Sequence, residues 1–288
     1  MKIKLKHFKF SRLKDLLRIF FKEKYGYRKL FGYFLIMTGT SSLFSIKRNG
    51  YKLKFFPTAL SVTLFQDRHS WTKEEDLLSD YLQKDDILID IGANIGSIGI
   101  KGATLLPAGK VYMIEAHPVT YEYMLQNIRL NNLGNILPVN KALGDNVGSV
   151  RFSNTGSDDM NSVVNADEGG IIVPVDRLDN ILVNEHKISF IKIDVEGYEF
   201  EVFKGSSETL AKTDCILFEA WDEHFIKYNT STVEVMNLLK KFGFAIYGIS
   251  NKKISELPAN YLANQCVNLL AIKNVASFLN RTGYEIIN

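Results

Sequence analysis

Carboxylates and a lysine stand where strand-like runs of this chain end. The segment Lys192-Ile-Asp-Val-Glu-Gly-Tyr198 closes an apolar run. Alternation along a strand puts Lys192, Asp194 and Glu196 on one side of it. Charges at the end of a buried strand are costly unless they are paired or used. Glu219, ahead of Ala-Trp221, adds a carboxylate at the end of another apolar run. Such groups position a hydroxyl or take its proton, and His224 is an alternative for the same task.

A second constellation lies upstream. Asp90-Ile-Gly-Ala-Asn-Ile-Gly96 follows the run Ile87–Ile91. Its glycines allow a tight turn and a close backbone approach, and the helix start beyond offers free N–H groups. A dinucleotide-binding loop carries a second glycine two residues after its first. Asn94 holds that place here, so the loop is a poor pyrophosphate cradle. Glu115 stands 23 residues after Gly92, where an acid can accept both hydroxyls of a ribose. Together these features point to a nucleoside-containing ligand with no phosphate requirement. The Asp90 carboxylate suits a cationic one.

Alternating elements must hold these groups. Buried strands are predicted at 87–91, 111–115, 136–139, 188–194 and 215–219, with closing strands at 244–249 and 266–272. Helices are predicted at 97–106, stopped by Pro107, and at 118–131, opened by Pro118. Capping boxes at Thr72-x-x-Glu75 and Ser231-x-x-Glu234 open two more. Residues 149–152 and 171–175 read as a hairpin around a polar loop. The alternation predicts a parallel sheet with helices on both faces, its ligands outside the carboxyl ends of the strands.

The chain has 288 residues, 46% of them hydrophobic and 23% charged, which is ordinary for a globular protein and too apolar for disorder. Cys215 and Cys266 exclude a disulfide framework and any CxxC site; they read as buried thiols in a reducing compartment.

DIGANIG at 90–96, IEAHP at 114–118, NKALGD at 140–145 and FIKIDVEGYEFEVFKG at 190–205 together resemble the FkbM family of S-adenosylmethionine-dependent methyltransferases. The resemblance covers about residues 72–273. It implies a Rossmann-like class I methyltransferase fold, α/β, with a seven-stranded, mostly parallel sheet whose last strand is antiparallel. It implies S-adenosyl-L-methionine as cofactor and methyl transfer, usually to a hydroxyl of a sugar or other small molecule. Carried over, Asp90, Gly92, Ala93, Asn94 and Gly96 line the methionine part of the cofactor. Glu115 holds the ribose, Ala142 or Leu143 ending strand three borders adenine, and Asn161-Ser162 in a covering loop at 154–170 reaches the cofactor. Asp194 sits near the methyl, so Asp194, Glu196, Lys192 and Glu219 are the candidate catalytic residues. No His/Asp spacing argues for a metal. His117 reads as a structural turn residue, and Trp221 and Phe225 as packing.

The resemblance leaves the leader unexplained. Residues 1–30 hold 11 Lys/Arg and 2 Asp/Glu, a net of +9; the other residues hold 35 − 11 = 24 basic and 32 − 2 = 30 acidic groups, a net of −6. Phe10, Leu13, Leu16, Leu17, Phe20 and Phe21 recur at helical spacing, which predicts a basic amphipathic helix. Such a helix docks on the body or lies on an anionic membrane surface through residues 1–29. The uncharged run Leu30–Ile46 is too short and polar to span a bilayer. Asn49-Gly50 predicts a hairpin with a type I′ turn. The expected organisation is an extension at 1–70 and a methyltransferase domain at 71–288, in the cytoplasm or peripheral to its membrane. The acceptor is expected to be a small molecule or glycan. The alternatives are a nucleic-acid methyltransferase using the basic leader, or an inactive cofactor-binding module. No Asn/Asp-Pro-Pro-aromatic motif for amino methylation supports the nucleic-acid reading.

Overall fold

The computed structural model describes residues 13–70, 72–154, 161–164 and 169–287. The first twelve residues of the leader and most of the loop at 154–170 lie outside them. The described chain opens with α1 (Leu13–Lys22) and α2 (Gly26–Met37). The corner between them is tight: a Cβ on Gly26 would lie 1.8 Å from the Ile19 carbonyl oxygen. The sequence pattern hid α2, because beyond Arg28 and Lys29 its residues are uncharged and mark out no polar face. A 3₁₀ turn at Ser41–Leu43 leads into a hairpin of β1 (Ser45–Lys47) and β2 (Lys52–Lys54), with Ile46 opposite Leu53. Its turn departs from type I′. Gly50 is left-handed at φ 89°, whereas Asn49 is not among the positive-φ residues.

Next come α3 (Ala59–Gln66) and α4 (Thr72–Tyr81). The capping box expected at Thr72 does not form. Its hydroxyl donates to the His69 carbonyl at 3.1 Å, while Glu75 turns inward to Arg48 and Tyr51. A buried cation attracted the carboxylate more strongly than its own helix end.

The alternating part then begins: β3 (Ile87–Ile91), α5 (Ser97–Leu105), β4 (Lys110–Ile114), α6 (Pro118–Asn131) and β5 (Ile136–Val139). After it the chain leaves the main sheet. β6 (Ala142–Leu143), β7 (Gly148–Phe152) and β8 (Ile171–Asp176) form a separate three-stranded sheet in the order β6-β8-β7. Ala142 and Leu143 therefore do not end the third strand, as expected, but make a short strand of their own beside β8.

The chain continues through α7 (Leu178–Ile181), β9 (Ile188–Ile193), α8 (Glu199–Lys204), α9 (Ser207–Ala211), β10 (Thr213–Ala220) and α10 (Asp222–Phe225). It ends with α11 (Thr232–Lys241), β11 (Ala245–Ser250), β12 (Lys253–Glu256), β13 (Val267–Ile272), α12 (Val275–Thr282) and β14 (Glu285–Ile286). Ser231 caps α11, accepting from the Glu234 N–H at 3.4 Å.

The main sheet runs β14-β12-β11-β13-β10-β9-β3-β4-β5. Strands β5, β4, β3, β9 and β10 are parallel, and β13 is antiparallel to both β10 and β11. Those seven strands, β5 to β11 in the sheet order, are the expected class I methyltransferase sheet. The short, polar β12 and β14 widen it to nine.

Its two faces bury different clusters. Leu88, Phe190, Leu217 and Leu270 pack with Leu77 of α4 and with Leu53 and Phe55 of the hairpin segment. Ile89, Ile191, Phe218 and Ala271 face the opposite side, with Val202 of α8 and Leu239 of α11. The N-terminal segment thus shares a core with the sheet. The helix α6 ties its edge down: Asn127 and Asn131 accept from the Lys54 and Lys52 N–H groups at 2.8 and 2.9 Å. Of the two thiols, Cys215 is buried but Cys266 is exposed, contrary to expectation. Among the described residues no helix is long and apolar enough to cross a membrane.

Candidate active site

A cavity of about 320 Å³ opens where β3, β4, β9 and β10 end. Its wall includes Asp90, Gly92, Ala93, Asn94 and Glu115. Ala142, Leu143, Lys192, Asp194, Glu196 and Glu219 complete the set of expected residues that reach it. Gly96 and Ser162 do not line it.

The loop after β3 is shaped by what it must avoid. Gly92 has φ 73°, and a Cβ there would lie 1.9 Å from the Asp194 carbonyl oxygen, so the β3 and β9 turns touch through bare backbone. Asn94 is also left-handed at φ 51°. Gly96, at φ 92°, begins α5, where a Cβ would meet the Met113 side chain at 2.7 Å. It serves helix packing instead of the cavity.

Glu115, just past β4, holds this loop in place. Its Oε2 accepts from the Asn94 N–H at 2.9 Å and its Oε1 from the His117 N–H at 2.8 Å. A carboxylate oxygen can accept more than one hydrogen bond, and Glu115 also lines the cavity. His117 caps α6, its Nδ1 lying 3.5 Å from the Thr120 N–H, and burial holds its pKa below the usual histidine value.

Asp90 and Lys192 are register partners on adjacent strands, so both point to the same face. Asp90 is fully buried. Its Oδ2 accepts from the Gly99 N–H at 2.8 Å, and its Oδ1 has no hydrogen-bond partner. Burial raises its pKa against the opposing pull of Lys192. The Lys192 ammonium lies 3.9 Å from Asp90 Oδ1 and 3.3 Å from Asp194 Oδ2. Burial alone would lower the lysine pKa, but the two carboxylates raise it above the ordinary value. Lys192 is therefore a fixed cation bridging two carboxylates.

Past β9 the chain turns sharply, with Glu196 at φ 59° and Gly197 at φ 98°. This aims Glu196 at α10. The His224 Nδ1 lies 3.3 Å from Glu196 Oε2 and 4.0 Å from Glu219 Oε2, and has no hydrogen-bond partner. Burial, then the Lys227 charge, lowers the His224 pKa and favours the neutral imidazole. Burial and the Asp194 charge raise that of Glu219, whose Oε1 accepts the Cys266 thiol at 2.8 Å. Burial and this carboxylate push the thiol up to about 12. Ligand atoms of Glu196, Glu219 and His224 lie within 4.8 Å of one another, close enough to converge on one divalent cation. The sequence spacing showed no such group. Trp221 lies beside His224, its ring tilted by 46° with centroids 4.2 Å apart, and Phe225 is fully buried.

Several contributors were not legible in the sequence. Leu60 and Thr63 of α3 line the cavity, as does Ser97 at the start of α5. The Tyr51 hydroxyl lies 2.8 Å from Ser97 Oγ and donates to Glu75 Oε1, which also receives Arg48. Asn161 and Val163 close one side, the latter bridged to Phe152 and accepting the Tyr228 hydroxyl at 2.8 Å. Asn161 lines the cavity, whereas the Ser162 N–H bonds to Ser153 Oγ at 3.0 Å.

The site fits a cationic nucleoside. The buried orphan oxygen of Asp90, the side-chain-free turn at Gly92 and the carboxylate of Glu115 supply charge, clearance and hydroxyl acceptors.

Comparison with known proteins agrees. Residues 90–246 match the family model described as the methyltransferase FkbM domain. The chain is 26% identical over 176 residues to hexuronic acid methyltransferase AglP of Haloferax volcanii, covering 59% of this chain and 71% of that protein. It is 25% identical over 203 residues to methyltransferase sdnD of Sordaria araneosa, covering 57% of this chain and 76% of that protein. Among solved structures it aligns with precorrin-6y C5,15-methyltransferase of Geobacter metallireducens GS-15. The TM-score is 0.42 at 16% identity, over 72% of this chain and 90% of that one.

Proposed function

The chain belongs to the FkbM methyltransferase family, with S-adenosylmethionine as its cofactor, and from that premise we propose that it O-methylates a hydroxyl of a sugar or other small molecule. One observation carries the reading: Asp194, Glu196, Glu219 and His224 gather at the carboxyl ends of β9 and β10, beside the cofactor loop. The named substrate of the Haloferax relative, a hexuronic acid, supports a sugar acceptor. A rim this rich in carboxylates favours a neutral hydroxyl over a sugar carboxylate or a phosphate backbone.

When bound, the cofactor supplies a methyl group on a sulfonium cation. Asp90 and Asp194 would provide negative charge beside that group, and Glu115 would hold the ribose. Asp194, held by Lys192, orients the acceptor hydroxyl. Glu196 takes the hydroxyl proton at Oε2, and the neutral His224 Nδ1 behind it receives that proton between two carboxylates. The acceptor hydroxyl held in this way would be aligned with the methyl group that the cofactor would supply. In-line positioning of this kind contributes about 7–11 kcal/mol to lowering the barrier.

The test is transfer from methyl-labelled S-adenosylmethionine to a panel of sugars and glycosides, with calorimetric titration of the cofactor in parallel. Asp194→Asn and Glu196→Gln should each lower transfer by about a hundredfold or more, with cofactor binding unchanged in Glu196→Gln. Full transfer by both variants would sink the assignment.

A further inference from the structure

The leader of this protein does more than carry charge. Nineteen large hydrophobic side chains are exposed among the described residues, and ten of them fall between Leu17 and Phe44. Those ten include every exposed phenylalanine and tyrosine of the set. They form a surface, not a scatter. On α2 the buried positions are Gly26, against Ile19, and Gly32, Leu35 and Ile36, on the side of Phe55 and Phe65. Tyr27, Phe31, Phe34 and Met37 recur at helical spacing on the other side and stay 47–63% exposed. On α1 Ile19 points in, while Phe20 and Phe21 point out. The 3₁₀ turn adds Leu43 and Phe44, and Phe31 joins the parts, its ring 6.3 Å from both Phe34 and Phe44.

A helix of a globular protein normally turns its apolar stripe to the core; α2 carries a second stripe facing outward. Patches of this kind mark a binding surface. Its surroundings identify the occupant. Arg18, Lys22 and Lys24 are exposed on the same segment, and residues 1–30 carry a net +9 against −6 for the rest of the chain. Phenylalanine and tyrosine next to lysine and arginine match the aromatic and ionic layers of a lipid headgroup region. No described helix is apolar and long enough to enter further.

We propose that the outward face of α1, α2 and the Ser41–Leu43 turn seats the protein on the surface of an anionic bilayer. The basic leader supplies attraction and the aromatic stripe supplies burial. The seat lies close to the chemistry. α3 carries Leu60 and Thr63 on the cavity wall and Phe65 against Phe31, 6.3 Å between rings. One helix therefore separates the bilayer from the cavity, and an acceptor presented at the membrane lies within reach.

Flotation of the full chain with vesicles of equimolar phosphatidylcholine and phosphatidylglycerol tests this, with pure phosphatidylcholine as comparison. The chain should float with the anionic vesicles and much less with the neutral ones. Phe21→Ser combined with Phe34→Ser should lower the vesicle-bound fraction by about tenfold or more, with S-adenosylmethionine binding unchanged as proof of folding. Leu43→Ser, at a turn position 82% exposed, should lower it without any demand on helix packing. Flotation that survives all three serines, or no flotation of the parent chain, overturns the proposal. So does a chain that sediments as a dimer and becomes monomeric in the serine variants, because the surface then meets a second copy.

Discussion

Glu115 clamps the turn that precedes it in the chain: its Oε2 accepts the Asn94 N–H at 2.9 Å, across 21 residues of sequence. One carboxylate thus shapes the loop after β3 and also lines the cavity, where we propose that it meets the cofactor.

Glu115→Gln leaves one acceptor oxygen for two backbone donors, Asn94 and His117. An unpaired buried N–H costs about 1–3 kcal/mol. Cofactor affinity should fall about tenfold or more by calorimetry, and the urea unfolding midpoint should fall with it. An affinity loss at unchanged stability would assign the carboxylate to the ligand alone.

Gly92→Ala should abolish cofactor binding and lower the melting temperature. The new Cβ would lie 1.9 Å from the Asp194 carbonyl oxygen, so the two turns must separate. Gly39→Ala is the matching control: its φ is 72° with nothing within 4 Å, so only backbone strain of about 1–2 kcal/mol is added. Equal effects at both positions would show that the contact with Asp194 is unimportant.

Arg48→Met should destabilise the protein by about 3–5 kcal/mol in urea unfolding, because it strands the buried Glu75 carboxylate. Tyr51→Phe removes one donor to Glu75 and the link to Ser97, and should cost about 1 kcal/mol. A negligible effect of Arg48→Met would show that Arg48 is not what holds Glu75 in the core.

Glu199 sets a pH dependence. It is buried, its Oε1 accepts from the Val195 N–H at 2.9 Å, and its Oε2 has no partner. Burial raises its pKa from 4.5 to about 8. The folded state therefore holds this proton more tightly than the unfolded state does. Stability from this group is full below 4.5 and is lost progressively as pH rises toward about 8. Glu199→Gln keeps the acceptor and removes the titration. It should melt higher than the parent at about pH 8, the gap closing toward about pH 5. A gap that does not vary with pH would show that Glu199 is not protonated in the fold.

The sheet was legible because its signals are local. A buried parallel strand is an unbroken apolar run such as Ile87–Ile91, and Pro118 and Gly243 punctuate helices wherever they occur. The same locality made Asp90, Glu115 and Asp194 readable, since strand ends in such a sheet are where ligands bind. Short edge strands such as β14, two residues long, carry no periodicity to detect.

What the amino-acid sequence determined by itself, then, is the order of the alternating strands and helices, the family and the carboxylates at the strand ends. Tertiary structure alone decided which groups meet across long stretches of chain. His224 reaches Glu196 because α10 folds back over the left-handed turn after β9. Arg48 drew Glu75 away from its helix end, and α3 reached the cavity through packing of Leu60 and Thr63. α2 acquired an inner and an outer apolar face only when Phe55 and Phe65 covered one of them. The physical reason is common to these cases. Propensity and alternation are properties of neighbouring residues, whereas burial of a charge or of an apolar face depends on partners that the chain brings together only by folding.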